Sequence, residues 1–138
     1  MHHQFRFTIA TRGRALHDLR PGILPEVRAC GVRVGTCHVF VAHTSASLCI
    51  TENADPAVHR DLERWMAGAV RDGDPRFEHD DEGDDDMSAH VRSVLAGSSL
   101  TVPIADGALV LGTWQGLYLW EHRTGSHRRE IVVTILGG

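Results

Sequence analysis

The chain has 138 residues, a length that suits one domain able to bury its own core. Its 42% hydrophobic and 23% charged residues are those of a globular protein and exclude a disordered one. A net charge of −4 argues against nucleic acid as a partner, and because all 14 cationic residues are arginine, Schiff-base lysine chemistry and a P-loop lysine are excluded outright.

Taken in chain order, Phe5, Phe7 and Ile9 alternate with polar residues, so 4–10 reads as a half-buried strand. Residues 11–16 read as a turn and the start of a return. Ile23, Leu24 and Val27 have helical spacing within 21–30, and Gly31 fits the position just past that helix. Strand runs follow at 36–42 and 47–51, joined by the polar connection His43-Thr44-Ser45-Ala46. Asp55-Pro56 is a helix cap followed by an N1 proline, and the helix runs to about Val70. Residues 72–86 hold nine acids and three glycines or prolines and read as a loop. A second long helix is expected from about Met87 to Ala96, with Asp86 or Ser88 as its cap. The rest is strand: 100–104, 108–112, 117–120 and 130–136, with Asp106-Gly107 as the strongest hairpin signal. No repeat or linker divides the chain. The expectation is a single α+β domain, 1–138, with a largely antiparallel sheet or sandwich and two to three helices.

No run approaches the roughly 20 apolar residues of a membrane span. Met1-His2-His3-Gln4-Phe5 lacks the basic and apolar regions of a secretory leader. Cys30, Cys37 and Cys49 are odd in number and form no CxxC pair, so they read as reduced thiols of a cytoplasmic protein.

Several constellations could carry chemistry. His43-Thr44-Ser45-Ala46-Ser47 ends a buried run, where hydroxyls and N–H groups can hold an anion and the imidazole can bind a metal or move a proton. Glu52 and Asn53 are turn formers, or face a pocket shared with His43 across a hairpin. Residues 78–86 are dense in oxygen ligands but lack the EF-hand order, so a solvated loop is the plainer reading. His79 stands out within it. Asp86 and His90 are four apart and share a helix face, half of a divalent-metal site that His43 or His79 could complete. Gly112-Thr113-Trp114-Gln115-Gly116 offers a flat wall and an amide, or is simply a bulged strand with a core tryptophan. Glu121 could act as an acid–base group, and Arg123, Arg128 and Arg129 could clamp a phosphate. His2, His3, His17, His38, His59 and His127 read as surface or core histidines.

Taken together, His43-Thr44-Ser45-Ala46-Ser47-Leu48, Glu52-Asn53-Ala54-Asp55-Pro56, Asp85-Asp86-Met87-Ser88-Ala89-His90 and Leu111-Gly112-Thr113-Trp114-Gln115-Gly116 resemble the YjbQ-like family, also called the secondary thiamine-phosphate synthase family. The likeness spans the chain in order, and Glu121 and Arg129 fall where the family keeps an acid and an arginine. The resemblance implies a homotrimer with pockets near subunit contacts, and a weak transferase activity joining a pyrimidine methyl diphosphate to a thiazole phosphate. It implies a divalent ion, zinc or magnesium, at His43, His79, His90 and Asp86. His43, His90 and Glu121 would be catalytic. Thr44, Ser45 and Arg129 would grip phosphate, Trp114 and Gln115 would seat the pyrimidine, and Glu52, Asn53 and Thr113 would complete the substrate site. The implied partner is a small phosphorylated metabolite. The alternative is a trimeric metal- or phosphometabolite-binding protein with no major catalytic role.

Overall fold

Eight strands and three helices build the chain in a computed structural model that describes residues 1–138. The strands are β1 (His2–Arg12), β2 (Leu16–Asp18), β3 (Gly35–Val41), β4 (Ala46–Glu52), β5 (Ser99–Ala105), β6 (Ala108–Leu109), β7 (Gln115–Glu121) and β8 (Ser126–Gly137). The helices are α1 (Arg20–Ala29), α2 (Pro56–Ala69) and α3 (Asp84–Ala96). The strands form two wholly antiparallel sheets, ordered β1-β8-β3-β5-β6 and β2-β7-β4. The expected α+β class therefore holds. No helix is long and apolar enough to cross a membrane.

The two sheets close on one core, because alternate side chains of a strand point to one face. Val39 and Val41 of β3, Ile131, Val133 and Ile135 of β8, Leu117 and Leu119 of β7, and Ile23 and Val27 of α1 meet there. β7 is the pivot of the architecture. Leu117 and Leu119 face the large sheet, while Trp120 packs with Met66 and Val70 under α2. Buried on both faces, β7 reads as an almost unbroken apolar run.

Local signals explain most element ends. Asp55 Oδ1 accepts from Ala57 N at 2.9 Å and caps α2. Asp106 and Gly107 have φ of 51° and 77°, the two positive values that a tight hairpin turn needs. The return expected to start by Leu16 is the short strand β2, paired with β7.

Two expectations are corrected. β3 and β4 do not form a hairpin: they lie in different sheets, and the His43–Ser45 connection carries the chain from one sheet to the other. The acidic segment is not loop to residue 86. α3 begins at Asp84, after Gly83 with φ 100°, so Asp84, Asp85 and Asp86 fill its first turn. Carboxylates there complement the positive end of the helix dipole, and neither Asp86 nor Ser88 is its cap.

Candidate functional site

α3 puts Asp86 and His90 one turn apart, and His90 Nε2 lies 3.3 Å from Asp86 Oδ2. The preceding loop folds back so that His79 Nε2 reaches the same oxygen at 2.7 Å. The two imidazoles meet edge to face, with centroids 5.5 Å apart. One ligand atom from each of His79, Asp86 and His90 falls within 4.8 Å of the others. Two imidazoles and a carboxylate are a donor set suited to zinc or another borderline divalent ion, leaving coordination positions open. Pairing of both histidines with one carboxylate oxygen shows how little movement would close them on a cation.

The free oxygen of Asp86 is not idle. Arg123 Nη1 donates to Asp86 Oδ1 at 2.8 Å, Arg123 Nε donates to Asp85 Oδ2 at 3.0 Å, and Arg123 Nη2 donates to the Glu82 carbonyl at 3.0 Å. Thr124 adds its N–H and hydroxyl to Asp85 Oδ2. The turn after β7 thus pins the start of α3 and aims Asp86 at the histidines. Arg123 is committed to this task and is not a free phosphate clamp. Burial pushes the Asp86 carboxyl up, but the His79 hydrogen bond and the charges of Arg123 and His90 outweigh it and leave it lowered. The same hydrogen bond raises His79 against a smaller opposing effect of burial. Asp86 is therefore a carboxylate, and the proton on His79 is one that a cation would displace.

His43 stands apart from these three. Its Nε2 accepts the Glu130 N–H at 2.8 Å, which places its own proton on Nδ1. Burial, and then the charge of Arg129, lower its pKa, so the ring is neutral. It nevertheless shares with His90 an open cleft of about 260 Å³, whose wall includes Thr44, Ser93 and Ser98.

Glu121 and Arg129 do not reach a cleft. They form a bidentate pair at 2.8 and 2.5 Å, and Thr11 Oγ1 donates to Glu121 Oε1 at 2.5 Å. The N–H groups of His122 and Arg123 fill Glu121 Oε2, and Arg129 Nη2 also donates to the Ser45 carbonyl. Ser45 is itself largely buried. The acid and the arginine satisfy each other in the core.

The remaining expected residues gather at the far end of the small sheet. Ala46 pairs with Glu121 and Glu52 with Gln115, six residues along β4, or about 20 Å. Glu52 Oε2 accepts from Asp55 N at 3.0 Å, Asn53 Nδ2 donates to the Thr113 carbonyl at 3.1 Å, and Gln115 Oε1 accepts from Gly112 N at 2.7 Å. These side chains brace the turn. Trp114 projects from it, 64% exposed, rather than lying in the core. Asn53, Thr113 and Gln115 line a second cavity of about 290 Å³ beside Arg20 and Arg28 of α1.

The site thus belongs to a small two-sheet α+β protein with a histidine–aspartate cluster held at a helix start. The family model described as UPF0047 protein YjbQ-like matches residues 5–138, and the chain belongs to that family. It is 50% identical over 135 residues to the UPF0047 protein sll1880 of Synechocystis sp., covering 98% of this chain and 92% of that one. It is 39% identical to the UPF0047 protein YjbQ of Escherichia coli O157:H7, covering 99% of both. The crystal structure of a yjbq/upf0047 family protein from Clostridium acetobutylicum superposes with a TM-score of 0.88 at 33% identity, covering 96% of this chain and 99% of that one.

Proposed function

We propose that this protein is a metal-dependent enzyme acting on a small phosphorylated molecule, with His79, Asp86 and His90 holding a divalent ion. One observation carries the reading: three ligand-type side chains from a loop and a helix converge within 4.8 Å at one end of the molecule, and the carboxylate among them is aimed by an arginine. When bound, the ion would supply charge neutralisation for a departing or transferring phosphate. The chain's own groups do the rest. Arg123 fixes Asp86. His43 keeps a proton on Nδ1 at the wall of the cleft it shares with His90. Thr44 adds a hydroxyl to the same wall. The reaction proposed is a weak thiamine-phosphate synthase-type coupling, a transfer that needs positioning and electrostatics more than a protein nucleophile. The proposal includes a cytoplasmic homotrimer, the trimer resting on the family resemblance and the compartment on the three unpaired cysteines.

The test has two parts. Element analysis after equilibrium dialysis should find one zinc or comparable ion per chain in the wild type and none in Asp86→Asn. Thiamine phosphate should form from the pyrimidine diphosphate and thiazole phosphate, and formation should drop at least about a hundredfold in His90→Ala. Metal retention without turnover would move the protein to the second reading, a trimeric metal- or phosphometabolite-binding protein. The observation favouring that reading is the closed Glu121–Arg129 pair, which leaves the cleft without the expected acid.

A further inference from the structure

The largest cavity lies away from the histidine–aspartate cluster, where the β1 and β8 strands run into their turns and β2 begins. It measures about 600 Å³, and its wall is made of Thr11, Arg12, His17, Ser126, His127 and Arg128 with a single apolar residue. That volume is in the range of small-molecule sites, and no carboxylate lines it. The neighbouring acids are already bound: Asp18 holds Arg20, Asp72 holds Arg14, and Glu121 holds Arg129. Arg12 and Arg128, both exposed, are left without a carboxylate. The register sets them near each other, since Arg128 pairs with Ala10 and Arg12 with Ser126 across the β1–β8 ladder.

The imidazoles add a second, independent observation. His17 Nε2 and His127 Nδ1 are both shielded from solvent and have no hydrogen-bond partner. An orphaned buried polar atom is uncommon and asks for a missing partner. Two such atoms belong to residues that line one cavity. The Thr11 hydroxyl is spent on Glu121 and the His127 carbonyl, so the groups open to a ligand are the exposed guanidinium forks of Arg12 and Arg128 and Ser126, with the His127 ring on the inner face of the same ladder and His17 Nε2 and His127 Nδ1 shielded.

The geometry points to an anion site at this cavity, which takes the phosphate or diphosphate group of a small molecule through Arg12 and Arg128. Arginine forks match phosphate oxygens two at a time. The site uses none of the proposed metal ligands, and it stands or falls separately from the metal reading.

The probe is pyrophosphate, titrated calorimetrically into the metal-free protein. The wild type should bind saturably at millimolar probe or below. Arg12→Gln/Arg128→Gln should bind at least about tenfold more weakly, while His79→Ala/His90→Ala should bind as the wild type does. In proton–nitrogen spectra the ring signals of His17 and His127 should move during the titration, and those of His79 and His90 should not. Absence of saturable binding to the wild type overturns the proposal. So does unchanged binding in the double arginine variant, or loss confined to the double histidine variant. A double arginine variant that changes subunit number on a sizing column without losing pyrophosphate affinity also overturns it, and makes the arginines a subunit contact.

Discussion

The two most deeply buried carboxylates in this molecule are each held by an arginine. Glu121 is 0% exposed and Asp86 3%. Their surroundings differ in one respect. Every partner of Glu121 is a fixed donor: a guanidinium, a hydroxyl and two backbone N–H groups. One oxygen of Asp86 faces two imidazole nitrogens instead, each of which donates only while it carries a proton and offers a lone pair once it does not. The first arrangement has no state other than the one seen. The second can exchange protons for a cation without moving a backbone atom. A buried ion pair is therefore not evidence of chemistry by itself; replaceable partners are.

If Glu121 is purely structural, removing it should produce the largest effect on folding. Glu121→Ala leaves the Arg129 charge buried and unpaired, and the expected loss is about 3–5 kcal/mol in urea unfolding. Glu121→Gln should recover part of this. A Glu121→Ala variant of near-native stability with abolished turnover would break the comparison and return Glu121 to the catalytic list.

The next effect comes from His122, beside Glu121 in the same closed region. It is fully buried, and Ser47 Oγ lies 2.7 Å from its Nε2. Burial, helped by the charge of Arg92, pushes its pKa down to about 3 from the ordinary 6.5. Between those values the unfolded chain holds a proton that the folded chain does not, so stability falls as pH drops through the window. From pH 7 to pH 5 the loss from this group is about 2 kcal/mol. His122→Gln, which retains a partner for Ser47, should show a pH slope shallower by that amount. Equal slopes would mean that His122 is protonated in the fold.

A third prediction sharpens the Asp86 side. Arg123→Lys keeps the charge but not the three-way fork over Asp85, Asp86 and the Glu82 carbonyl. Zinc affinity should fall about tenfold, as when a group orienting a ligand is lost. The measurement is competition against a chromophoric chelator, and unchanged affinity would show that Asp86 needs no aiming.

The architecture was legible where burial follows one period. Phe5, Phe7 and Ile9 alternate and are strand, and the Asp55-Pro56 cap opens α2 where expected. The site was legible only in part. Asp86 and His90 could be paired from spacing alone, because a helix converts four residues into proximity. The start of α3 was hidden because its acids look solvated until Arg123 and Thr124, some 38 residues on, are brought to them. Glu52 and His43 are nine residues apart, yet β4 runs straight between them and carries Glu52 to the opposite end of the sheet. The closure of Glu121 on Arg129 is a pairing across the β7–β8 turn that residue type does not disclose. Most easily missed were His17 and His127, whose unpartnered nitrogens exist only once β1, β2 and β8 come together.

The smallest effect on folding should come from His79, and its smallness is the point. Its side chain is 41% exposed and rests on a loop, so His79→Ala should shift the urea midpoint by far less than Glu121→Ala does. The sign of the remaining difference depends on pH. Pairing with Asp86 raises the His79 pKa, so its contribution is fully present below the ordinary histidine value. That contribution is lost as pH rises through the raised one. In metal-free protein the wild type should therefore lead the variant at mildly acidic pH, and the gap should close above neutrality. Adding zinc at alkaline pH should reopen it, because the wild type alone gains stability from the bound ion. A gap that closes and stays closed in zinc would make His79 a proton-dependent partner of Asp86 and nothing more.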